Sequence, residues 1–525
     1  MKNSIALLKK EKSKIENSTS AESRQFKIQK SKFKTQNSYS PSHSLPSPTG
    51  RGKPRSGAGV GLLLVLYFFI YDMTKTERGS FGTKIGVILA TAGSAVGLGN
   101  IWRFPYLTGK DGGAAFILIY VLFVFALGIP GMICEFVVGR HGGSNAARAY
   151  FKLSGGKAWW IVGAMGMLTS TIILGFYAVV AGWCLQYLYA SIAGQLMGDE
   201  QYVMTYFQEF STNPVKPVIC TLAFLLLTHS VVVHGVRNGI EKVSNLLMPT
   251  LFVLLIVIAV ASCLLPGADA GIKFLFHPDF SKINKDTLLD ALGQAFFSLS
   301  LGTSCLCTYA SYFSRQTNLA KSAVQIAVID TCIAILAGLM IFPAAFSVGV
   351  SPDSGPSLVF ITLPNVFNQA FASMPAVGYV MSLLFYALLA LAALTSTISM
   401  HEIGTSLLYE ELHITRKSGA WIQTGVCAVI GVLCTLSCGA VNWLSFAGKS
   451  FLDWCDYVTG QMLMPVGAML ACLFIGWFAP RKVVHDEFTN HGTLRSTFYG
   501  IFLFCVRFIC PVCIVIIFLH QFGII

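Results

Sequence analysis

Charge is what this sequence has least of. Only 12% of its 525 residues are Asp, Glu, Lys or Arg, whereas 54% are hydrophobic and the mean hydropathy is +0.65. That balance excludes an ordinary water-soluble domain and makes a lipid bilayer the solvent. A basic face for nucleic acid is missing too. The formal charge is +13, but the first 58 residues hold 13 Lys/Arg against 3 Asp/Glu, so +10 belongs to a tail and no nucleic-acid partner is implied. Enzyme signatures are absent as well: there is no HExxH, no GxSxG and no paired carboxylates at mid-membrane depth. The fifteen cysteines do not form a secreted disulfide framework, since most sit singly in apolar runs as small buried residues do. The CxxC of Cys510 and Cys513 lies in an apolar helix and reads as packing.

The tail divides in two. Residues 1 to about 58 are rich in Ser, Lys and Pro without hydrophobic periodicity, which predicts disorder. Residues 60–71 are apolar but shorter than the roughly 18 to 20 residues that cross a bilayer, and no small-residue cleavage site follows them. Residues 1–72 therefore read as a basic extension, or as chain ahead of a start at Met73. Their removal is expected to leave insertion and transport intact. Residues 73–525 form the transmembrane domain.

The apolar segments of this domain predict an all-α polytopic membrane protein of eleven transmembrane helices. They fall near 85–107, 114–138, 159–188, 217–233, 240–265, 288–314, 320–350, 374–411, 420–437, 451–478 and 494–521. With the N-terminus in the cytoplasm, the inner loops hold 13 Lys/Arg, among them Arg140, Arg148, Arg416 and Arg481, against 6 outside. The positive-inside rule thus places the N-terminus in the cytoplasm and the C-terminus outside.

Two spans are irregular. Span 1 contains Ala92-Gly93-Ser94-Ala95-Val96-Gly97-Leu98-Gly99-Asn100, and span 6 contains Phe297-Ser298-Leu299-Ser300-Leu301-Gly302-Thr303. Glycine at mid-membrane depth weakens a helix, and lipid tolerates the opened backbone only where protein satisfies it. One such segment is explained by close helix packing. Two of them five spans apart predict a 5+5 inverted repeat with broken helices 1 and 6, whose freed carbonyls suit cations and whose half-helix N-termini suit a carboxylate.

The run from Gly93 to Tyr106, which includes Asn100-Ile101-Trp102-Arg103-Phe104-Pro105, resembles the span 1 signature of the neurotransmitter:sodium symporter family, in particular its eleven-span bacterial amino-acid transporters. Gly112-Gly113-Ala114-Ala115-Phe116, Gly128-Ile129-Pro130, Gln294 to Ser300 and Ile361-Thr362-Leu363-Pro364 match further stretches, and Gly239, nine residues, then Pro249 is similar to a span 5 motif linked to unwinding. The resemblance covers about 77–521.

It implies sodium-coupled symport of a neutral, apolar or aromatic amino acid across a bacterial inner membrane; a sensor on the same scaffold is the alternative. Two sodium sites are implied: Ala95, Asn100, Ser298 and Asp330 with the substrate carboxylate, and Gly93, Val96 and Ala392 with the Thr395 and Ser396 hydroxyls. The substrate carboxylate would meet the Leu98 and Gly99 amides and Tyr177. Its side chain would lie among Ile173, Phe297, Ser300, Thr303 and Met400, with Ala95, Ser298 and Ser396 bordering the pocket. Gly97 stands where amine-carrying relatives place an aspartate, which favours a ligand with its own carboxylate. Thr303 replaces the aromatic or Met usual there and leaves the side-chain size open.

A charge inside a span costs roughly 2.5 to 3.5 kcal/mol and calls for a partner. By resemblance, Arg103 with Asp456 is the external gate, Arg78 with Glu410 is the cytoplasmic gate with Glu411 a competitor for the role, and Glu135 steadies the broken helices. Chloride-dependent relatives hold the anion near positions matched by Tyr120, Gln294 and Ser298. Here the remaining two are Asp330 and Ala334, one turn apart, so a fixed carboxylate stands beside the anion's place. Transport is expected to need sodium but not chloride. Oligomeric state is left open.

Overall fold

A computed structural model describes residues 79–349, 358–494 and 497–521. The basic extension 1–72 and Arg78 lie outside the described residues. Among the described residues, eight helices are long and apolar enough to cross a membrane: Ala114–Gly142, Trp160–Ile192, Val236–Cys263, Leu319–Ser347, Pro375–Glu411, Arg416–Ser437, Phe451–Phe478 and Tyr499–His520, which are spans 2, 3, 5, 7, 8, 9, 10 and 11. Two bent pairs raise the number to ten. Span 1 is Lys84–Ala95 followed by Gly99–Lys110 at 54°, and span 4 is Lys216–Val232, set at 74° to a preceding helix Glu200–Ser211. Eleven is reached only if the interrupted segment Lys285–Ser298 and Cys305–Ala310 is counted as span 6.

Both interruptions fall in the glycine-rich segments. In span 1 the helix stops at Ala95, where Val96 turns to extended backbone (ψ 113), and the Asn100 side chain accepts the freed Gly97 amide at 3.1 Å. In span 6 three residues take left-handed backbone, Ser300 (φ 53), Gly302 (φ 79) and Ser304 (φ 60), which no α-helix accommodates. Span 1 packs against spans 5, 7 and 8, and span 3 against 4, 8 and 9, so a scaffold surrounds the breaks.

Several connections expected as loops contain short helices, including Ala146–Leu153, Ala268–Phe276, Leu363–Ala370 and Arg481–Phe488. Each is too short to show as an apolar run, yet one face buries against the spans. A two-residue hairpin, Ser445–Phe446 with Lys449–Ser450, precedes span 10.

Candidate functional site

The break in span 1 opens onto a cavity of about 50 Å³ lined by Ala95, Gly97, Gly99, Ile173, Tyr177, Phe297, Ser298, Ser300, Thr303, Ser396 and Met400, together with Ser94, Cys305 and Met464. Leu98 donates its amide to the Tyr177 hydroxyl oxygen at 2.9 Å. A Cβ on Gly97 would lie 2.4 Å from Ser396 Oγ and 2.8 Å from the Tyr177 hydroxyl, so glycine keeps this wall open. Thr303 Oγ1 donates to the Ser300 carbonyl at 2.6 Å within this lining. Ser94, Cys305 and Met464 were missed by sequence reasoning, because pocket membership across spans leaves no local mark.

To one side lies a buried oxygen-rich cluster. Asn100 Nδ2 donates to Asp330 Oδ1 at 2.8 Å, to the Asp330 carbonyl at 3.2 Å and to Ser298 Oγ at 3.1 Å. Ser298 Oγ donates to Asp330 Oδ2 at 2.6 Å, and the Tyr120 hydroxyl reaches both at 3.3 Å. Gln294 donates to the Gly99 carbonyl at 3.2 Å. A second cluster joins spans 1 and 8: the Thr395 and Ser396 hydroxyls reach the Val96 carbonyl at 3.3 and 3.1 Å, and Thr395 reaches the Ala392 carbonyl at 2.9 Å. A Cβ on Gly93 would stand 3.4 Å from Thr395 Cβ, which places the Gly93 backbone alongside. Apart from the Asn100 and Gln294 amide nitrogens, the polar atoms gathered in these clusters are oxygens, and only the first set holds a carboxylate. That chemistry fits hard, weakly charged cations.

Above the cavity a vestibule of about 620 Å³ is lined by Trp102, Arg103, Tyr106, Tyr177, Phe297 and Asp456 among others. Arg103 and Asp456 act on each other through space, but no ion-pair contact joins them among the described residues. Arg103 instead lies over the Phe297 ring at 4.4 Å.

At the opposite end, Glu410 accepts from the Asn145 amide at 2.7 Å and from its side chain at 3.1 Å. Glu411 pairs with Arg148 at 3.0 Å. Arg78, the expected partner of Glu410, lies outside the described residues. Two tethers were not anticipated. Glu402 of span 8 is fully buried, pairs with Arg416 and accepts from the Tyr312 hydroxyl at 2.5 Å. The insertion cost that singles out Glu135 would have flagged Glu402 as well. Glu241, two residues after Gly239, accepts from the Gly82 amide at 2.7 Å, and from the Thr83 amide at 3.0 Å and hydroxyl at 2.8 Å, where Thr83 caps span 1. Glu135 accepts from the Gly302 amide at 2.7 Å, inside the break in span 6, and from the Cys307 amide at 3.3 Å, in the half-helix that follows it.

The sodium:neurotransmitter symporter family model matches residues 78–213 and 201–524. A Bacillus subtilis (strain 168) protein described as the uncharacterized sodium-dependent transporter YhdH is 39% identical over 454 residues, covering 86% of this chain and 99% of the relative. The human sodium- and chloride-dependent GABA transporter 2 is 24% identical over 485 residues, covering 83% and 78%. The crystal structure of MhsT in complex with L-phenylalanine superimposes with a TM-score of 0.77 at 39% identity, covering 84% of this chain and 99% of that one.

Proposed function

Since the chain belongs to the sodium:neurotransmitter symporter family, whose members are membrane-embedded sodium-dependent transporters and not enzymes, we propose that it carries a neutral, apolar or aromatic amino acid into a bacterial cell together with sodium. The observation that carries this reading is the break in span 1. Its freed backbone faces a cavity without a carboxylate at Gly97, beside an oxygen cluster that has one at Asp330. The substrate carboxylate would meet the Leu98 and Gly99 amides and Tyr177, and its side chain would lie between Ile173, Phe297 and Met400. One sodium would share Ala95, Asn100, Ser298 and Asp330 with that carboxylate; the other would take Gly93, Val96, Ala392, Thr395 and Ser396.

Alternating access follows from the two ends. Arg103 and Asp456 would close over the loaded site from outside, and release inward would loosen span 1 from Glu241 and the Gly239–Pro249 segment. The N-terminus would then face the cytoplasm and the C-terminus the outside of the inner membrane. Two charges moving inward contribute roughly 4.6 kcal/mol per 100 mV, from about 2.3 each, enough for about thousandfold accumulation.

Chloride is not required on this reading. Asp330 already places a negative charge against Ser298, Tyr120 and Asn100, so an added anion would be repelled in a low-dielectric site. Replacing Asp330 by Asn together with Ala334 by Ser should create chloride-stimulated uptake, while the native protein works equally in gluconate. Loss of native transport in gluconate would reject this role. The decisive experiment is sodium-driven uptake in proteoliposomes across an amino-acid panel: accumulation supports symport, and saturable binding without uptake supports a sensor.

A further inference from the structure

Span 11 carries an arginine inside its helix. Arg507 is eight residues past Tyr499, and its Nε donates to the Gly476 carbonyl of span 10 at 2.6 Å. Gly476 lies two residues before the end of span 10 at Phe478, about 3 Å from that helix end, so Arg507 sits at the level where spans meet the headgroups. There it caps a carbonyl that no further turn satisfies and opposes the negative end of the helix dipole. Its two terminal nitrogens have no hydrogen-bond partner among the described residues.

The surroundings carry the inference further. Arg507 lies 5.4 Å from the Trp477 ring, and both Arg507 and Arg481 are within electrostatic reach of the Tyr499 hydroxyl. Arg481 and Lys482 are exposed. The nearby Glu487 is committed elsewhere, pairing with Arg140 at 2.6 Å. Beside this cationic corner Trp477, Phe478, Phe504 and Phe508 are all exposed, with Phe508 in ring contact with both Trp477 and Phe504.

We propose that this corner is a binding site for the phosphodiester headgroup of one anionic phospholipid. Arg507 and Arg481 hold the phosphate, and the acyl chains run along Trp477, Phe478, Phe504 and Phe508. Charge complementarity together with the exposed aromatic face beside it selects a lipid over a free anion, which would leave that face uncovered. The site also joins spans 10 and 11 at one leaflet.

Native mass spectrometry of the full-length protein in detergent, titrated with phosphatidylglycerol, tests this. One phosphatidylglycerol should be retained per chain where phosphatidylcholine is not, and inorganic phosphate should not compete. Arg507→Gln should weaken retention about tenfold, and Arg481→Gln about fivefold. Because Arg507 also caps span 10, thermal unfolding is measured alongside; Arg481→Gln leaves that cap in place and keeps the test independent of folding. Equal retention of both lipids, undiminished retention by the well-folded Arg481→Gln and Arg507→Gln proteins, or displacement by inorganic phosphate would each overturn the proposal.

Discussion

Both ends of the Asn100 amide are engaged, its oxygen by the Gly97 amide and its nitrogen by Ser298 and Asp330. Asn100→Ala removes a proposed sodium ligand and leaves Asp330 short of a charge-assisted hydrogen bond worth about 1.5–3 kcal/mol. Sodium-driven uptake is expected to vanish, with the unfolding temperature falling modestly; full uptake with unchanged sodium dependence would reject the ligand assignment. Asp111, between spans 1 and 2, offers a pH test. Burial, then the nearby Asp290, raises its carboxyl from the ordinary value to about 7. A raised carboxyl keeps its proton in the folded protein when the unfolded chain has already lost it. Stability therefore falls as pH rises from about 4 through 7. Asp111→Asn should flatten that dependence and raise the unfolding temperature at neutral pH, as thermal scans across the window would reveal.

At the scale of elements, the breaks in spans 1 and 6 rest on different glycines for different reasons. Gly302 has φ 79, and a Cβ there would stand 2.1 Å from the Met464 carbonyl. Left-handed backbone alone costs a non-glycine about 1–2 kcal/mol, and a backbone neighbour cannot swing aside. Gly302→Ala is expected to lose most folded protein on size-exclusion chromatography. Gly293→Ala, with nothing within 4 Å, should leave the yield unchanged. At Gly97 the obstructing atoms are side-chain ends, Ser396 Oγ and the Tyr177 hydroxyl. Gly97→Ala should fold yet lose substrate affinity by about tenfold or more, and unchanged binding by scintillation proximity would reject the proposed carboxylate position.

Across the whole molecule, the pairing of Glu402 with Arg416 ties together spans 4, 6, 8 and 9, since Arg416 also donates to the Val232 carbonyl at 3.1–3.2 Å and Tyr312 donates to Glu402. Arg416→Met strands a fully buried carboxylate, which costs about 3–5 kcal/mol. Arg416→Met with Glu402→Gln should recover much of that loss. A double-mutant cycle on thermal unfolding measures the coupling, and additive effects would show that the pair acts as two separate groups. The same scale shows where a gate reading needs more than residue types: Arg103 and Asp456 share one vestibule wall without ion-pair contact, and Arg103 rests on Phe297 instead.

What the sequence alone determined are the properties written in short windows of chain. Membrane residence, the span limits such as Phe451–Phe478 and the sites of both helix breaks follow from apolar run length and clustered glycine, each readable within about twenty residues. Only the tertiary structure decided which side chains meet. Glu241 reaches Thr83 across 158 positions, Glu411 takes Arg148 across 263, and Ser94, Cys305 and Met464 join the cavity from three spans. Such pairings depend on how helices rotate and tilt against one another, so the cost of a buried charge announces that a partner exists while packing alone selects it.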